Sequence, residues 1–96
     1  MHVLVVTVDL HIPGAQSLKA KRSTVLSLVR RLDQLHGVGA AEVDHLDVWQ
    51  RTTIGVSIVG SEVGHVQQVT ESVERMVWAQ PDVEVLSIEQ SWWDNS

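Results

Sequence analysis

His11-Ile12-Pro13-Gly14-Ala15-Gln16-Ser17-Leu18-Lys19-Ala20-Lys21-Arg22 is the stretch on which the reading of the fold turns. Before it, residues 2–12 alternate, with Leu4, Val6, Val8, Leu10 and Ile12 on one side and Val3, Val5, Thr7, Asp9 and His11 on the other. A period of two in β-branched residues is a strand with one well-buried face. Pro13-Gly14 ends it. After Ser17 the period becomes helical: Leu18, Val25, Val29 and Leu32, with Leu28 and Leu35 to one side, make one apolar stripe. Ser17 stands where a helix N-cap is needed, and the helix is expected to run to about His36, with Gly37 stopping it.

Outward from this joint the chain continues in the same terms. Val38 to His45 reads as a second strand and Gln50 to Val59 as a third, with Ile54, Val56 and Ile58 buried. The short connection makes them an antiparallel hairpin. Ser61 is the expected cap of a second helix ending near Ala79, with Val66, Val69, Thr70, Val73, Met76 and Val77 inward. Gln80-Pro81-Asp82 ends it, and Val83 to Glu89 is a fourth strand whose alternation is blurred by the adjacent Val85 and Leu86. The order β-α-β-β-α-β predicts an α+β, ferredoxin-like unit: a four-stranded antiparallel sheet of order 4-1-3-2 with both helices on one face. A single domain is expected over residues 1–90, followed by a C-terminal tail at 91–96 that holds Trp92 and Trp93.

Composition bounds the function. At 96 residues and 44% hydrophobic, the chain is long enough for one modest core. The absence of cysteine excludes disulfides and thiolate metal sites and suits a reducing cytoplasm. The apolar run at residues 3–6 is too short for a signal peptide or a membrane span, so no membrane partner is expected. A formal net charge of −5 argues against general nucleic-acid affinity, and DNA binding is not expected. The distribution qualifies this. Residues 17–31 hold five of the seven basic residues (Lys19, Lys21, Arg22, Arg30 and Arg31) and no acid. Lys21 and Arg22 fall near the apolar stripe of the helix, where a charge is costly unless paired. Either they meet a sheet carboxylate, or they build an anion site at the helix N-terminus.

The His11–Arg22 stretch and Ala41-Glu42-Val43-Asp44-His45-Leu46-Asp47-Val48-Trp49-Gln50-Arg51 together resemble the YlxP-like family, small bacterial proteins of unknown function. The likeness extends to Gln80-Pro81-Asp82-Val83-Glu84-Val85-Leu86. It departs at Ala20, where the family often carries Glu, which leaves the neighbouring basic residues more positive. The resemblance implies a ferredoxin-like fold. It also implies a translational setting, because genes of this family often lie beside those for a translation initiation factor and a ribosome-binding factor.

If the sheet order holds, the two stretches approach one another at one edge. The candidate binding residues are His11, Ser17, Lys19, Lys21, Arg22, Asp44, His45, Trp49 and Arg51, with Asp9 and Glu42 nearby. Three readings compete for them. The first is a charge network that fixes the hairpin against the helix. The second is a surface for RNA phosphate or a ribosomal protein, with Lys19, Lys21 and Arg22 supplying charge and Trp49 stacking. The third is a metal or catalytic site using His11, His45 and carboxylates. No ligand pair has helical i, i+4 spacing and no nucleophile is placed beside a base, so no catalytic residue, metal ligand or cofactor is assigned. One of the four tryptophans is expected to fill core volume. The others, with Val3, Val5 and Val59 on the uncovered sheet face, point to a homodimer through that face or through the tail.

Overall fold

In a computed structural model that describes residues 1–93, the elements follow as β1 (His2–His11), α1 (Leu18–Asp33), β2 (Val38–Asp44), β3 (Arg51–Gly60), α2 (Val63–Ala79) and β4 (Glu84–Trp93). The four strands form one antiparallel sheet in the order β2-β3-β1-β4. This is the predicted ferredoxin-like βαββαβ arrangement, with β3 and β1 in the middle of the sheet.

Alternation in β1 and β3 decides which face the helices cover. Leu4, Val6, Val8 and Leu10 pair across the sheet with Ile58, Val56, Ile54 and Thr52, and all eight are buried. Val25, Leu28 and Leu32 of α1, and Val66, Val73 and Val77 of α2, close over them. The other face of the sheet carries no helix. Across it Trp93, Val3 and Val59 form one row, Ser91, Val5 and Ser57 the next, and Glu84, His11 and Arg51 the last. It is therefore apolar at one end and charged at the other.

Local chemistry explains the ends of the elements. Ser17 Oγ accepts the Ala20 N–H at 3.0 Å and caps α1. The helix closes at Asp33, short of His36, and Gly37 follows at φ +79°, where a Cβ would lie 2.6 Å from the Val59 carbonyl oxygen. The cap of α2 is Glu62, not Ser61, and no side chain bonds the helix start there. Gly55 admits Val43, whose Cγ1 would stand 3.0 Å from a Cβ at that position. Val43 is the extra residue where the β2–β3 register shifts between Glu42 and Asp44.

Two further expectations are corrected. Ser91, Trp92 and Trp93 are not a tail: they extend β4 and pair with Val5, Leu4 and Val3. Residues 94–96 of the expected tail lie outside the described residues. No tryptophan fills the core either. Trp49, Trp78, Trp92 and Trp93 are 51%, 66%, 43% and 53% exposed, because they stand on the β2–β3 loop, off the inner stripe of α2 and on the edge strand β4.

Candidate functional site

The two stretches singled out in the sequence do meet, and they meet at Lys21. Its position one turn before Val25 points it at the sheet, and it is fully buried. The ammonium nitrogen lies 2.7 Å from Glu42 Oε2 and donates to the carbonyls of His45 at 2.6 Å and Leu46 at 3.2 Å. Three donors thus meet three acceptors, which is what a buried lysine requires. Thr52 Oγ1 donates to the same Glu42 oxygen at 2.6 Å. His45 holds φ +59°, a left-handed conformation that turns its carbonyl toward the helix. Lys21 is therefore a clasp between α1 and the β2–β3 loop. As a phosphate-binding cation it is corrected, since burial and three partners leave it no access to a ligand.

A second tie runs beside the first. Gln50 Nε2 donates to the carbonyls of Pro13 and Ala15, each at 3.3 Å, so the hairpin is also fastened to the loop before α1. Trp49, next in sequence, stands exposed beside this tie. Asp44 is engaged on its own loop, with Oδ1 accepting the His45 N–H at 2.7 Å.

The predicted edge cluster is divided by the sheet. Lys21 and Glu42 lie on the helix side. Asp9, His11 and Arg51 lie on the open side, because odd-numbered residues of β1 face away from the helices. There Thr53 Oγ1 donates to Asp9 Oδ1 at 2.8 Å and Arg51 Nη2 donates to the same oxygen at 3.4 Å. The Thr53 hydroxyl, more than any other group, holds the Asp9 carboxyl below the ordinary carboxylate value; partial burial opposes it, and Arg51 and the charge of His45 add to it. His11 Nδ1 lies 3.2 Å from Glu84 Oε2 across the β1–β4 pair. The Arg51 Nε is buried without a hydrogen-bond partner. Among the described residues no three His, Asp or Glu side chains stand together as a metal-binding set.

The remaining candidates lie on α1 and at its N-cap. Ser17 spends its oxygen on the helix cap. Lys19 and Arg22 lie toward solvent, and Arg30 joins them at helical spacing, so that positions 19, 22, 26 and 30 form one solvent-facing stripe of three cations around Leu26. Arg31 is drawn away by Gln80, to whose Oε1 it donates at 2.8 Å. The reading from sequence missed Arg30 as part of this group, although its helical position shows it. Thr53 and Glu84 were also missed, since only strand register brings them to Asp9 and His11.

Residues 3–90 match a family described as a protein of unknown function, DUF503. The chain belongs to the DUF503 family. A curated relative, the uncharacterized protein YlxP of Bacillus subtilis (strain 168), is 27% identical over 78 residues, covering 81% of this chain and 85% of that protein. Among solved structures, this DUF503 chain is similar to a de novo designed protein with a ferredoxin fold, LFR1 1. The TM-score is 0.51 at 10% identity, over 100% of this chain and 95% of that one. At that identity the likeness concerns the fold alone. No helix among the described residues is long and apolar enough to cross a membrane.

Proposed function

We propose that this protein is a non-catalytic binding protein, accessory to translation or ribosome maturation, that docks on RNA phosphates through the exposed stripe of α1. The observation that carries the reading is the stripe itself. Lys19, Arg22 and Arg30 face solvent on one side of a helix whose single acid, Asp33, stands at its last position and accepts the Ala40 N–H, in a chain whose net charge is −5. A protein so polarised orients one helix toward a polyanion and repels it elsewhere. In this reading Trp49, exposed on the hairpin that Gln50 ties to the loop before the helix, stacks on an unpaired base. Lys21 serves the same surface indirectly by holding that hairpin in place.

The test is cosedimentation of the purified chain with ribosomal subunits at two salt concentrations, beside Lys19→Ala/Arg22→Ala/Arg30→Ala. Phosphate contacts weaken by roughly 0.7 to 0.9 log units per log unit of salt for each phosphate neutralised. Salt-sensitive association that the triple variant loses supports the reading. Absence of association, or association indifferent to salt, overturns it.

A further inference from the structure

The two edges of the sheet are treated differently. Along β2 the outward backbone groups are closed off by the end of α1: Asp33 Oδ1 accepts the Ala40 N–H at 2.8 Å, and the Leu35 carbonyl accepts the Val38 N–H at 3.2 Å. The β2 strand is also short, seven residues, and bulged at Val43. These are ordinary ways of blunting an edge. The β4 edge has no such cover from a helix end. It is ten residues long and contains no Lys, Arg or Pro. Its one irregularity lies near Leu86, which leaves Ser87 to Trp93 in regular register.

Which β4 groups point outward follows from the ladder. The Ile12 N–H donates to the Gln50 carbonyl, so even-numbered residues of β1 bond toward β3 and odd-numbered ones toward β4. Val5, Thr7 and Asp9 thus bond with Ser91, Glu89 and Ser87. Ile88, Gln90 and Trp92 turn their N–H and C=O away from the sheet, and no loop or side chain among the described residues takes them up.

From this edge we infer that β4 pairs antiparallel with the β4 of a second copy of the chain, making one continuous eight-stranded sheet. The strand is complementary to itself about Gln90. With Gln90 on the two-fold axis, Glu89 faces Ser91 of the other copy and Ile88 faces Trp92. Trp93 faces Ser87. No acid opposes an acid, whereas a register centred on Glu89 would set that carboxylate against its own copy. The pairing covers Trp92 and Trp93, which are exposed here although aromatic side chains of this size are enriched at interfaces. It is isologous and closes on itself, so it makes a dimer rather than a filament. Because α1 packs over β2, at the opposite edge, the dimer carries a basic stripe at each far end. The dimer does not depend on those stripes binding RNA.

The experiment is the solution mass of the full chain by light scattering, with two variants. The wild type is expected at twice the 10.7 kDa chain mass. Gln90→Pro removes the outward N–H, which an edge strand tolerates, together with one exposed side-chain bond to Glu74. It is expected to keep its circular dichroism while its mass halves. Gln90→Cys places a lone thiol at the axis of a chain without cysteine, and is expected to form a disulfide-linked dimer on mild oxidation while Ser23→Cys does not. A monomeric wild type overturns the inference and leaves the edge to a foreign strand. So does a dimer in which Gln90→Cys fails to cross-link, or one that persists in folded Gln90→Pro; either places the interface elsewhere, such as the open sheet face. Should Gln90→Pro unfold, the cross-link of Gln90→Cys decides.

Discussion

Lys21 Nζ and Glu42 Oε2 lie 2.7 Å apart, the lysine side chain wholly buried and the glutamate 14% exposed. The pair joins α1 to β2, and the carbonyls of His45 and Leu46 complete the coordination of the ammonium. Removing one partner of such a pair strands a charge out of water, which costs about 3–5 kcal/mol. Lys21→Met and Glu42→Gln are each expected to lower stability, Lys21→Met by about that amount, measured by urea denaturation. Lys21→Met/Glu42→Leu removes both charges and is expected to recover part of the loss.

Asp9 is held below its ordinary carboxylate value chiefly by the Thr53 hydroxyl, with help from Arg51. A depressed folded-state pKa means that the unfolded chain binds the proton more readily. The stabilisation is therefore complete above the unfolded value near pH 4 and is lost as pH falls through the folded one. Denaturation midpoints followed between neutral pH and strong acid are expected to drop below about pH 4 in the wild type. Thr53→Val, which deletes the main donor, is expected to flatten that acid limb, and an unchanged limb would show that Asp9 contributes nothing to it.

Gly37 sits at φ +79° with the Val59 carbonyl where a Cβ would go. Gly37→Ala therefore meets both backbone strain and a clash, and is expected to cost about 1–3 kcal/mol. Gly14→Ala is the control, since a Cβ there meets nothing within 4 Å. Thermal denaturation of the two variants is expected to separate them clearly.

Single substitutions along α1 divide surface charge from the clasp. Lys19→Ala, Arg22→Ala and Arg30→Ala are each expected to leave stability within about 0.5 kcal/mol, lying toward solvent and away from packed features. Each is expected to reduce the salt slope of RNA association by roughly 0.7 to 0.9. The measurement is filter binding of ribosomal RNA across a salt series.

How much of this was legible in the sequence can be judged residue by residue. Helical spacing placed Lys21 near the apolar stripe, so its inward direction was readable; Arg22 was grouped with it, yet it faces solvent on the other flank. That Lys21 would meet a sheet carboxylate was one of the two expectations; that two of its three partners would be backbone carbonyls of a loop was not readable, because the loop conformation at His45 has no sequence period. The end of β4 was misread for a related reason. The register shift near Leu86 sets Val85 and Leu86 side by side, which hides the alternation that would have carried the strand on to Trp93. One tryptophan was assigned to the core, whereas all four stand on the loop, off the inner stripe of α2 or on the edge strand, outside the layer that Val, Leu and Ile fill.

The sequence by itself determined the order of the six elements, the buried face of β1 and β3 and the Ser17 cap. Each of these depends on neighbours a few residues away, so periodicity and turn chemistry carry it. Only the tertiary structure decided which charges meet. It joined Lys21 to Glu42, Asp9 to Arg51 and His11 to Glu84, and left the β4 edge bare while α1 covered that of β2. These are contacts between residues 7 to 73 positions apart, and those across the sheet are set by strand register, where a shift of one residue turns a strand's side chains to the other face.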